Sequence, residues 1–331
     1  MVSFFSLLSK AQDTAGRKPG VTQELLTLVT GLAHYLKLLI RICLKGALRT
    51  EKERGSSECL YHFLDDLSDL EAEATWTTAL ARDTQLAVPI PMPARDGRLV
   101  ITVDDGGPAH HATLMSWLPG QLLGRHLTEP NLFRMGELFA ALHAHGLEWE
   151  RPVDFSQRRF DRILSRGESD EWASVARKAG VAASDIAVIR NVHERVDAAY
   201  AALDPADLRV IHGDLHHDNI KVFQGQLCPF DFEDTVLGYR IHDIAMAMLD
   251  LWDTVVPDRY DRLLDAFRRG YTHTLDWPAG ELVLFQLGRY VWRLNWVARR
   301  RPAQIAAAAA ATADAFRFAA THGRLEPTIA S

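Results

Sequence analysis

The chain has 331 residues, 47% of them apolar and 24% charged, with a net charge of -6 at neutral pH. That length exceeds a typical single domain, and the acidic balance excludes a global attraction for nucleic acid or other polyanions. Three cysteines, Cys43, Cys59 and Cys228, form no Cys-x-x-Cys pair and no even disulfide set, which fits a reducing cytoplasm.

The first twenty residues are expected to be a loose arm, polar after Leu8 and closing on Lys18-Pro19-Gly20. Their apolar run is too short, and lacks the basic lead, for a signal peptide. Leu25 to Leu44 is rich in Leu and Ile but interrupted by His34, Lys37 and Arg41, which oppose a membrane span. The segment suits either one long helix or a hairpin turning at Gly31-Leu32-Ala33. Glu51 to Ser57 is a charged surface connection. The spacing of Leu64, Leu67, Leu70, Ala74 and Leu80 predicts a helix over Tyr61 to Thr84. Short strands are expected over Val88 to Pro93 and Arg98 to Val103, around an Asp96-Gly97 turn, and over Ala112 to Leu118, closed by Pro119-Gly120. Asn131 to His145 is strongly amphipathic and helical. Arg151 to Arg177 is charged and weakly periodic. Helices follow over Ile241 to Val255, Arg259 to Tyr271, Glu281 to Ala298 and the alanine-rich Pro302 to Ala320.

Between these stretches lies the richest segment, Val210 to Asp231, reading VIHGDLHHDNIKVFQGQLCPFD. Phosphoryl transfer needs an acidic group at the attacking hydroxyl and oxygen ligands for a cation on the phosphates. Asp214 would be the base, with Asn219 and Asp231 as catalytic metal ligands. The offset from Asp214 to Asn219 is that of the protein-kinase catalytic loop H-R-D-x-x-x-x-N, and Asp231-Phe232-Glu233 stands where D-F-G would follow. His212, Asp214, His216 and His217 could alternatively form a zinc or dinuclear hydrolase cluster, but the upstream D-x-H and later G-N-H that such enzymes need are missing.

Three elements recur in order: His212 to Asn219, Phe230 to Asp234, and Asp243-Ile244-Ala245. In this the chain resembles the aminoglycoside phosphotransferase and choline kinase family, tightly over Ser116 to Trp252 and loosely elsewhere. The resemblance implies an α+β, bilobal protein-kinase-like fold, with a β-rich nucleotide-binding lobe over residues 1–115 and a mostly helical catalytic and acceptor-binding lobe over 116–331. It implies ATP and Mg²⁺ as cofactors and transfer of the γ-phosphate to a hydroxyl of a small molecule. It favours the hairpin over Leu25 to Leu44, with Arg41, or failing it Lys45, gripping the α and β phosphates. Glu73, in preference to Glu71, would orient Arg41. Ser116, Trp117 and Leu118 would bracket the adenine edge, His212 would brace the loop and Asp243 would pin it.

The family's glycine-rich nucleotide loop is not matched, since only Gly16 and Gly20 precede the hairpin. Lost or weakened catalysis is therefore one rival reading, and a protein Ser/Thr kinase of the same fold is another. The second is disfavoured by the short interval from Asp231 to Asp243. The acceptor is open among aminoglycoside, choline-like amine, homoserine-like amino acid and sugar, with Glu233, Asp234 and Asp250 tilting toward a cation. No nucleic-acid or membrane partner is expected.

Overall fold

The computed structural model describes residues 59–64, 67–103, 110–153, 155, 158–165 and 168–328. Arg41, Lys45, the expected arm and the segment from Leu25 to Leu44 lie outside the described residues.

Strand β1 (Cys59–Leu64) and helix α1 (Leu67–Asp83) replace the single helix expected over Tyr61 to Thr84. The local cause is legible: Tyr61-His62-Phe63 favours a strand, and the helical period starts only at Leu67. Strands β2 (Val100–Val103) and β3 (His110–Ser116) pair antiparallel, with Val100 opposite Thr113, and the sheet order is β1-β3-β2. Val88 to Pro93 forms no regular strand. Pro89, Pro91 and Pro93 remove the N–H donor at every second position, so the segment makes only a bridge from Pro91 to Met115. Two backbone bonds hold it there, Met92 N–H to Leu114 O and Ser116 N–H to Ile90 O. On α1, Leu70 and Ala74 join Val100 in a small core, whereas Trp76 and Leu80 enter the large one.

From His62 on, the described residues, α1, β2 and β3 included, fall in one compact unit. Strand β4 (Gln121–Leu122) leads into α2 (Glu129–Glu148), capped by the Thr128 hydroxyl on Asn131 N–H. Then come β5 (Arg159–Phe160), α3 (Trp172–Lys178), α4 (Ala183–Ala201), β6 (Arg209–Ile211), β7 (Ile220–Phe223), β8 (Gln226–Pro229) and β9 (Val236–Gly238). Four helices close the chain: α5 (Arg240–Trp252), α6 (Pro257–Thr272), α7 (Leu282–Arg300) and α8 (Ile305–His322). Helices α3 and α4 were not among the expected elements, although Ile186, Ile189, Val192, Val196 and Tyr200 of α4 carry a helical period and are buried.

Two small sheets, β4-β7-β8 and β5-β9-β6, are set against this helical mass. Helices α2 and α6 approach closely enough that glycine is required on both. A Cβ on Gly136 would lie 2.0 Å from Phe267 O, and one on Gly270 would lie 1.8 Å from Phe133 O. Phe139 and Phe267 meet edge to face beside this crossing, their centroids 5.1 Å apart.

The crossing places His143 of α2 and Tyr271 of α6 against Asp243 of α5. His143 Nε2 donates to Asp243 Oδ2 at 3.0 Å, because a carboxylate can only accept. Burial keeps the ring neutral by lowering its pKa, so Nδ1 accepts from the Tyr271 hydroxyl at 3.0 Å. That hydroxyl, pushed up to about 12 by burial, also accepts from Arg240 Nη1 at 3.3 Å. Burial would raise Asp243 as well, but the His143 hydrogen bond and the nearby imidazoles outweigh it, and its pKa is lowered.

His143 and Asp243 both titrate below their unfolded values, about 6.5 and 3.9, so the unfolded chain binds more protons as pH falls. Their contribution to stability is full above about pH 6.5 and is lost on acidification, through His143 first and Asp243 later. Urea unfolding of His143→Gln should therefore change less between pH 7 and 5 than that of the wild type; an unaltered pH slope would refute the assignment. Gly270→Val, which drives a side chain into Phe133 O, should cost on the order of 3 kcal/mol in the same unfolding measurement.

Candidate active site

Strand β6 is buried along its length and pairs antiparallel with β9, Val210 opposite Leu237, so it delivers the following loop from a fixed base. The first loop residue, His212, is fully buried. Its Nε2 donates to Phe230 O at 3.1 Å, and its Nδ1 accepts from Asp214 N–H at 3.4 Å. This places His212 as a brace rather than a reacting group. Gly213 has φ +83°, and a Cβ there would stand 2.3 Å from Asp234 O, so no other residue fits. Its N–H donates to Asp243 Oδ1 at 2.9 Å, which ties the loop to the buried pair described above.

The loop then closes on itself. Asp214 O accepts from His216 N–H at 3.0 Å and from the Asn219 side-chain nitrogen at 2.9 Å. Asn219 O in turn accepts from Phe230 N–H at 3.0 Å, extending the β7–β8 ladder past Ile220 and Pro229. The hairpin turns at Gln224 and Gly225, both with positive φ, which matches the right-handed twist of a tight hairpin. In this way a short local hairpin brings Asp231 beside Asn219.

Asp231 itself is left-handed, at φ 68° and ψ 58°. An aspartate tolerates that conformation better than most residues, and the neighbouring Phe232 holds it by packing on His212 at 4.5 Å and on Trp76 of α1 at 5.5 Å. No hydrogen bond or ion pair among the described residues engages the Asp231 carboxylate. With the Asn219 amide nitrogen bound to Asp214 O, the Asn219 Oδ1 is left over. An oxygen-only pair of this kind suits a hard divalent cation such as Mg²⁺. Among the described residues no group of three His, Cys, Asp or Glu is placed to hold a metal, so the zinc cluster considered over His212 to His217 does not assemble.

Asp214 is 30% exposed at its side chain. Burial raises its pKa above the usual carboxylate range and Asp234 adds to this, while Arg289 and His216 oppose it. Arg289 of α7 approaches Asp214 Oδ1 at 3.9 Å. Sequence reading did not single out this arginine, because a lone cation inside an amphipathic helix carries no local signal.

The remaining expected residues are placed as follows. Glu73 is fully buried on α1, one turn before Trp76, whereas Glu71 is exposed. Near Glu73, Arg158 pairs with Asp69 of α1 at 2.9 Å and reaches Asp234 at 3.9 Å. Ser116 ends β3, its hydroxyl accepting from Ile90 N–H at 2.9 Å. Leu118 O accepts from Lys221 Nζ at 2.6 Å, and the same ammonium lies 3.5 Å from the Trp117 ring centroid. Lys221 of β7 thus links Trp117 and Leu118 to the hairpin that carries Asp231. It too escaped the sequence reading, since only the β4–β7 pairing brings it there.

Comparison with known proteins gives this geometry a context. A family model described as the phosphotransferase enzyme family matches residues 59–283. The amicoumacin kinase of Bacillus subtilis is 24% identical over 208 residues, which cover 60% of this chain and 57% of that protein. A stretch of 69 residues is 45% identical to part of the Rho-type GTPase-activating protein 1 of Schizosaccharomyces pombe, covering 21% of this chain and 6% of that one. The chain therefore spans 57% or less of these curated relatives. Among solved structures, a microcompartment-associated aminopropanol kinase superposes with a TM-score of 0.67 at 23% identity, over 83% of this chain and 89% of that one. An amicoumacin kinase in complex with AMP-PNP and Ca²⁺ gives 0.63 at 17% identity, over 78% and 82%. At such identities the structures speak for a shared kinase-like α+β fold. The family match, running from β1 into the start of α7 and enclosing the whole loop and hairpin, establishes that this chain belongs to the phosphotransferase enzyme family.

Proposed function

We propose that the protein is an ATP-dependent, Mg²⁺-requiring phosphotransferase that moves the γ-phosphate to a hydroxyl of a small molecule. The observation that carries this reading is the closed loop in which the Asn219 side chain is bonded to Asp214 O and the Phe230 N–H, next to Asp231, is bonded to Asn219 O. Such a reaction needs positioning and charge compensation more than a strong base. Asp214, with its raised pKa, orients the acceptor hydroxyl and takes its proton. Asn219 and Asp231 would hold Mg²⁺, which when bound neutralises phosphate charge.

Nucleotide binding falls to residues 1–115, the smaller lobe of this reading, with Arg41 on the phosphates and Glu73 orienting it. Ser116, Trp117 and Leu118 flank the adenine at the junction with the catalytic lobe, residues 116–331. Glu233, Asp234 and Asp250 favour an acceptor with positive charge. A small molecule is preferred over a polypeptide because a 3-10 turn (Phe232–Asp234), β9 and the start of α5 fill the interval from Asp231 to Asp243, leaving no activation segment. The loop is intact, which disfavours lost catalysis. A cytoplasmic setting fits the free, buried Cys228. Among the described residues no helix is long and apolar enough to cross a membrane.

Calorimetry with ATP, with and without Mg²⁺, tests the reading directly. Binding should require Mg²⁺ and weaken in Asp231→Ala. Asp214→Ala should keep nucleotide affinity while transfer falls by about 10²-fold or more. Equal residual activity in the two variants, or no binding at millimolar ATP, would overturn it.

A further inference from the structure

Arg289 stands out among the arginines of the large core's rim. The half-buried and buried arginines Arg158, Arg209 and Arg240 each make one close ion pair, with Asp69 at 2.9 Å, Asp207 at 2.8 Å and Asp207 at 2.7 Å. Arg289 stops 3.9 Å from Asp214, and among the described residues its guanidinium makes no hydrogen bond. Its Cζ lies over the Trp292 ring, 4.4 Å from the centroid, one turn along α7. The side chain is 36% exposed and is held by stacking, with its donor fork free. A guanidinium kept short of its carboxylate by a stacking partner is arranged for a planar anion that comes from outside.

The cavity behind this stack does not offer room for an acceptor. It measures about 10 Å³ among Phe160, Tyr200, His242, Phe285 and Trp292, enough for a single water. An anion bound by Arg289 therefore sits on the open side, next to the Asp214 carboxylate. Half-buried Asp250 of α5 and Asp234 are near enough to act on Arg289 electrostatically, so the same opening presents both signs of charge.

We infer that Arg289 is a specificity-determining residue that binds a carboxylate of the acceptor, making the preferred substrate a hydroxylated amino acid with its ammonium toward Asp234 and Asp250. The inference rests on the kinase reading above and narrows its substrate class. The same guanidinium chemistry could instead serve the phosphoryl group in transfer. The two sources differ in one respect: an acceptor clamp discriminates between acceptors, and a phosphoryl clamp does not.

The test uses acceptor pairs that differ only by a carboxylate, threonine against 1-amino-2-propanol and serine against ethanolamine, with Mg²⁺-ATP and the full chain. The wild type should prefer the carboxylated member by about tenfold or more in kcat/KM, mainly through KM. Arg289→Gln should abolish that preference, and Arg289→Lys should restore part of it. The ratio of two acceptors within one preparation does not depend on how much of a variant is folded. A wild type without preference, or a variant that loses both acceptors equally, overturns the inference and assigns Arg289 to the phosphoryl group or to Asp214. Mg²⁺-ATP binding with no transfer to any of the four overturns the substrate class while the kinase reading stands. Absence of Mg²⁺-ATP binding overturns both.

Discussion

Asp243 is a fully buried carboxylate whose two oxygens hold different parts of the molecule, one the Gly213 N–H of the loop after β6 and the other the His143 ring of α2. A buried charge is tolerated only when its lone pairs are met, and here they are met by groups from separate elements. The cost of desolvating Asp243 thereby becomes a constraint on position. If α2, α5 or the loop shifts, the carboxylate loses a donor it cannot replace with water. The close α2–α6 crossing at Gly136 and Gly270 serves the same end, since it is what lets His143 and Tyr271 reach one another.

From that anchor the rest of the loop follows by short steps. Gly213 is fixed, so Asp214 is presented at the end of a braced turn. His212 passes the constraint to Phe230, and Phe230 passes it through its own N–H to Asn219. The left-handed Asp231 stands at the far end of this chain, its strained backbone held by Phe232 between His212 and Trp76. Trp76 belongs to the same helix as Glu73 and Asp69. The helix beside the small sheet is thus coupled mechanically to the turn that follows Asp231, and Arg158 adds an ionic tie between Asp69 and Asp234.

How much of this was legible depends on whether the determining contacts are local. The loop from His212 to Asn219, the hairpin through Gln224-Gly225 and the aspartate after it lie within one short stretch, so the sequence could group Asp214, Asn219 and Asp231 as candidates. Asp243, on the next helix, was also within reach, as was the bracing part of His212. Elsewhere local patterns misled. Leu64 continues the apolar spacing of α1 backwards, yet it ends β1; the alternating prolines from Pro89 to Pro93 sit in an apolar run that looks like a strand and cannot form its ladder. His143, Tyr271, Lys221 and Arg289 were invisible for another reason. Their partners lie dozens of residues away or more in sequence, and nothing in a helical period distinguishes a polar residue facing solvent from one facing a buried carboxylate.

Arg289 shows what that difference means for function. By composition the candidate site is acidic, with Asp214, Glu233, Asp234 and Asp250 all in the motif segment or just after it, and sequence reading naturally turns toward a cationic acceptor. The fold adds a guanidinium from α7, a helix beyond the motif region, and holds it on Trp292 at a distance that leaves its donors open. Electrostatically this offsets part of the acidic charge around Asp214; geometrically it supplies a forked donor next to that carboxylate. Charge counted along the chain sets the sign of a site, but the residue that gives the site two signs comes from tertiary packing. In a fold whose loop is so tightly fixed, the helices beyond it are where the charge around Asp214 can be varied without disturbing the loop itself.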